Sequence, residues 1–152
     1  MKIGKVFWLV VIFLFVLIQF VPAVRPDTIP ENENDLIYNN QIPEPVTTIL
    51  KTSCYDCHSN ETNYPWYSYI APVSWLVAKD VREGIEELNF SEWESLSKID
   101  KAKELDKIID EVSDENMPMP IYTIMHSKAK LSTEETEQVT NWADSYAESL
   151  FE

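Results

Sequence analysis

Two cysteines three residues apart, with a histidine directly after the second, constrain this chain more than any other stretch: Cys54-Tyr55-Asp56-Cys57-His58. They are its only cysteines, and His58 is one of two histidines. Two thiols at this spacing, followed by an imidazole, form the attachment signal for a covalent haem c, one per chain. The chemistry explains the spacing. Two thioethers fix one edge of the macrocycle, and the turn between them brings the next imidazole under the iron as proximal ligand. A short chain carrying such a group is expected to wrap around it.

Rival chemistries fit less well. A thioredoxin-like dithiol follows a strand and opens a helix. Here Pro45 to Ser53 reads as a helix, and no strand pattern follows. A structural zinc site needs four ligands. Cys54, Cys57, His58 and the distant His126 supply that number, but adjacent Cys57 and His58 can hardly share one tetrahedron. A disulfide across two residues closes a tiny loop and stabilises little.

Residues 1–24 read as a signal anchor or signal peptide. Lys2 and Lys5 precede an apolar run, Val6 to Val21, broken only by Gln19. At ~1.5 Å per residue the run is slightly short for a ~30 Å bilayer core. Val21-Pro22-Ala23 offers a cleavage site, and the length of the run favours an anchor. A basic flank stays inside, so the rest is exported. The expected location is the cell membrane, with the domain on the periplasmic, extracytoplasmic side. Residues 25–42 are polar, with Pro26 and Pro30, and read as an extended linker.

Residues 43–150 read as one all-α domain. The net charge of −14 argues against nucleic acid and anionic lipid as partners of the domain surface, and favours redox partner proteins with a basic docking surface. The membrane is met through the N-terminal helix only. Val46, Ile49 and Leu50 mark one face of a first helix, and Val73 to Leu88 a second. Ser91-x-x-Glu94 and Ser132-x-x-Glu135 read as capping boxes that open further helices. Asp100 to Val112 gives another helix, whose Lys101, Lys103, Glu104 and Lys107 read as a solvated face. The last helix runs to Leu150, with Val139, Trp142, Ala143 and Tyr146 inward against the first. Tyr64, Trp66, Tyr67, Tyr69 and Trp75 offer walls for a flat macrocycle or filling for a core. Between the helices, Asp114 to Pro120 holds Met117 and Met119 in a proline-stiffened loop. A thioether opposite histidine is the usual sixth ligand of an electron-transfer haem. Met117 is preferred; Met119, Met125 and His126 are the alternatives.

The sequence resembles monohaem c-type cytochromes and, more closely, the small bacterial haem-binding domain family, whose members carry a membrane leader. The resemblance covers residues 43 to 146. It rests on Cys54 to Thr62, Tyr64-Pro65-Trp66-Tyr67, Ala71-Pro72-Val73-Ser74-Trp75, Leu88 to Trp93, and Met117-Pro118 with Tyr122, His126 and Leu131. It implies a cytochrome c-like helical domain around one covalent haem at Cys54 and Cys57, with His58 proximal and Met117 distal. The chain departs from better-known cytochromes c in lacking a glycine and an aromatic at the helix crossing before the motif. The expected function is single-electron transfer by a His/Met-ligated haem. The alternative is a haem peroxidase or ligand sensor with a labile sixth site, using His126 or Tyr122 as the distal residue.

Overall fold

A computed structural model describes residues 3–30 and 32–152. Lys2, one of the two basic flanks of the leader, lies outside the described residues. The described residues form eight α-helices and no strand: α1 Ile3–Ile18, α2 Leu36–Asn39, α3 Glu44–Ser53, α4 Tyr55–His58, α5 Val73–Glu87, α6 Lys98–Ser113, α7 Pro120–Met125 and α8 Thr133–Ser149. Short 3-10 turns at Trp66–Tyr69, Phe90–Ser95 and Ser127–Ala129 complete them. The protein is all-α, as its proline-punctuated, glycine-poor sequence suggests.

The core forms where α8 packs on both α3 and α6. Leu50 of α3, Leu105 of α6 and Ala143 of α8 are fully buried, with Trp93 between them in sequence. At the start of α8, Ser132 and Glu135 form the expected reciprocal capping box.

Four local expectations are corrected. Ser91 does not cap a helix. Its Oγ accepts from the Asn60 backbone at 3.1 Å and donates to Asp35 at 3.4 Å. Ser97 takes the capping role instead, accepting from Asp100 N and starting α6 two residues earlier than predicted. On α6, Lys101 is not solvated but 8% exposed. Its ammonium lies 2.6 Å from Glu94 and 5.9 Å from the Trp93 ring centre, while the aliphatic stem fills the core edge. The linker is not a free tether. Ile29 N donates to Asn60 O at 2.7 Å, Tyr64 OH to Pro26 O at 3.0 Å, and Asp35 and Leu36 are 0% exposed. Asp35 caps α2 and accepts the Tyr55 hydroxyl at 2.9 Å, so this segment is a strap built into the core. Helix α1 itself spans 16 residues, and no helix among the described residues is long and apolar enough to cross a membrane.

Candidate cofactor site

The attachment motif is a single tight turn at the end of α3. Cys54 N still donates to Leu50 O, closing α3, and Cys54 O then accepts from Cys57 N at 3.1 Å and His58 N at 2.9 Å. That turn is pressed against α5 at Gly84. A Cβ there would stand 2.5 Å from Cys57 O. Glycine is required at this position because two backbones meet.

The close approach positions His58. Its Nδ1 lies 3.0 Å from Gly84 O and 3.2 Å from Leu88 O. Carbonyls only accept, so Nδ1 carries the proton and donates. Nε2 therefore holds the lone pair, the state a proximal ligand needs. Burial holds the imidazole below its ordinary pKa, although the two carbonyls push the other way. The Phe90 ring lies edge-on to it at 6.2 Å.

His58 and Cys54 line a cavity of about 310 Å³, with Leu50, Phe90, Ile108, Val112 and Met117 among its walls. This is the size range of small-molecule and cofactor pockets. Met117 reaches it through the end of α6. Asn116 N and Met117 N both donate to Glu111 O at 3.0 Å, and Glu115 N donates to Val112 O. This is a Schellman stop with Glu115 at φ 58, the left-handed position usually filled by glycine. Glu104 lines the same cavity, with one oxygen paired to Lys107 at 3.1 Å and the other buried without a hydrogen-bond partner.

Cys57 borders a second cavity of about 340 Å³, with Tyr64, Tyr67, Leu76, Met119, Tyr122 and Met125. The structure thus brings together Cys54, His58 and Met117. It places Cys57 one turn away, on the wall of the second cavity. Met119 and Met125 lie on that second side. His126 Nε2 is hydrogen-bonded to Tyr67 OH, and Tyr122 stacks on its ring at 4.3 Å while donating to Asp56 at 2.7 Å. Of the five aromatics, Tyr64 and Tyr67 line a cavity, whereas Trp66 and Tyr69 face outwards.

The thiols are not activated. Burial, then Cys57, pushes Cys54 up to about 12; burial, then Asp56 and Asp80, pushes Cys57 up to about 11. A redox dithiol needs the opposite shift. Among the described residues no three His, Cys, Asp or Glu side chains are grouped to hold a metal ion. A soft sulfur, a tautomerically fixed imidazole and two thiols within one turn of an apolar cavity are a donor set that fits haem.

The model of a family described as the haem-binding domain matches residues 13–145. The chain belongs to this haem-binding domain family. The match covers the strap, the motif turn, both cavities and most of α8. No curated protein and no solved structure matches the chain.

Sequence reasoning named Cys54, Cys57, His58 and Met117 as candidates but missed Gly84. Its signal was available: it is the only glycine beyond Gly4.

Proposed function

We propose that this haem-binding protein is a monohaem c-type cytochrome that carries single electrons. Cys54 and Cys57 would hold the macrocycle as thioethers, His58 would be the proximal ligand and Met117 the distal one. The observation that carries this reading is the fixed His58 tautomer, on a cavity that Met117 also lines. Held there, haem would supply a one-electron couple. The chain's own part is to hold the imidazole by two carbonyls, aim Met117 by the α6 stop, and exclude water with Leu50, Phe90 and Val112. The engagement of His126 Nε2 by Tyr67 favours Met117 over His126 as the distal ligand.

The domain would be tethered outside the cytoplasmic membrane by α1. Val6 to Leu17 are all exposed and cover nothing on the domain. A helix apolar on every side requires burial, and lipid provides it. Gln19, Phe20 and Val21 continue α1 through successive i→i−3 bonds. Ile3 to Val21 would then reach about 30 Å, the thickness of a hydrocarbon core. The acidic surface suits a basic redox partner, with attraction that weakens as salt rises.

The test is a pair of variants in the exported, haem-loaded chain. Met117→Ala should abolish the far-red sulfur-to-iron band and leave covalent haem intact, and Met119→Ala should leave the band. The reverse result would move the ligand to Met119. A wild-type haem that is high-spin and binds carbon monoxide readily would favour the peroxidase or sensor.

A further inference from the structure

Gln19 is the one polar residue in the apolar run, and the structure gives it a partner. Its Nε2 donates to Ala71 O at 3.0 Å, and its Oε1 accepts from Ala71 N at 3.0 Å. Two further bonds follow along the chain. Trp75 Nε1 donates to Val21 O at 3.1 Å, and Arg25 Nη1 donates to Ser68 O at 2.9 Å. The Arg25 guanidinium also lies 4.0 Å from the Tyr69 ring centre. The end of α1 is therefore latched to the turn that leads into α5.

The outer surface of that turn is apolar and open. Trp66 is 72% exposed, Tyr69 61%, Val73 42% and Ile70 39%. Residues 64 to 78 contain no charged side chain, in a chain whose net charge is −14. The charge that sits on the turn is the cation of Arg25. Exposed tryptophan and tyrosine with aliphatic neighbours, beside the end of an apolar helix, have the composition of a membrane-interface belt. An uncharged surface with one cation suits a phospholipid headgroup layer, whereas the acidic remainder of the domain would be repelled by anionic lipid.

We propose that the 66–73 turn rests in the interfacial layer of the bilayer that holds α1, so that the domain lies on the membrane in one fixed orientation rather than hanging from a tether. This rests on the reading of α1 as an anchor. Gln19 is the positioning residue. Its two-point bond to Ala71 sets the angle between helix and domain, and it satisfies in advance an amide that would otherwise be costly to bring to the membrane surface.

The test uses the full haem-loaded chain in liposomes of neutral phospholipid. Benzoylphenylalanine replaces Ile70 in one sample. In another it replaces Ser145, an exposed residue on α8, which packs against α3 and α6. After illumination, lipid adducts are read by mass spectrometry, and carbonate-resistant flotation of the same samples reports anchoring. The proposal expects abundant adducts at position 70 and few at 145. It also expects Gln19→Leu to float as wild type while its adduct at 70 falls several-fold. A chain that floats without adducts at 70, or with equal adducts at both positions, overturns the docking face and leaves the anchor standing. A chain that does not float, its leader removed, overturns both.

Discussion

Replacing Gly84 by alanine sets two effects of opposite sign against each other. The new Cβ would meet Cys57 O at 2.5 Å, its carbonyl carbon at 3.0 Å and its Cβ at 3.2 Å. None of these atoms can rotate away. To reach ordinary contact at 3.4 Å, the backbones of α4 and α5 must part by about 0.9 Å. That movement stretches the His58 Nδ1 bond to Gly84 O, now 3.0 Å, beyond hydrogen-bonding range. Overpacking of this kind costs ~1–3 kcal/mol, and the lost bond about 1 kcal/mol more. Alanine in mid-helix returns about 1 kcal/mol. The expected net effect is a loss of about 1–3 kcal/mol, with a weakened sulfur-to-iron band because the imidazole is no longer pinned. Urea unfolding followed by far-UV circular dichroism gives the first quantity, and the far-red spectrum the second. A variant stabilised by ~1 kcal/mol with an unchanged spectrum would refute the close approach and the account of how His58 is held.

Other variants probe the supports of the site. Glu115→Gly should raise stability by about 1 kcal/mol, because glycine carries no left-handed penalty at φ 58; a loss in urea unfolding would show that the Glu115 side chain matters more than its backbone. Asp35→Ala should cost about 2–3 kcal/mol, since the buried Tyr55 hydroxyl and the Ile37 N–H lose a charged acceptor; a midpoint shift near zero would return the strap to a loose tether. In the haem-free chain, burial keeps His58 neutral below its ordinary pKa of 6.5. The unfolded chain then binds more protons, so stability is full above about pH 6.5 and falls as the pH drops through the folded pKa. His58→Gln should flatten that slope in unfolding curves taken between neutral and acidic pH.

Much of the candidate site was legible because covalent haem chemistry would demand fixed spacing. The Cys-x-x-Cys-His turn and the Met-Pro loop are local, and local rules placed them. The helices α3, α5, α6 and α8 were visible through apolar periodicity, and Ser132 through its reciprocal glutamate. What escaped depends on contacts distant in sequence. Asp35 and Leu36 sit in a polar stretch, and only the arrival of Tyr55 and Ser91 makes them core. Ser91 matched a capping pattern, but Asn60 and Asp35 claimed its hydroxyl. Lys101 resembled its solvated neighbours until Glu94 and Trp93 closed over it. Gly84 looks like a weak point in a helix until Cys57 is seen against it. Gln19 looked like an interruption in an apolar run, and Ala71, 52 positions away, gives it a role.

Whether haem is joined covalently to Cys54 and Cys57 is decided by the intact mass of the chain. The full chain, co-expressed with haem-attachment machinery, would be extracted with acid acetone and weighed. The expected result is the mass of the chain plus one haem, surviving extraction, and lost when both Cys54→Ala and Cys57→Ala are introduced. A chain at its unmodified mass, with haem absent or fully extracted, would contradict it and return the two thiols to a disulfide or an unlinked pocket wall.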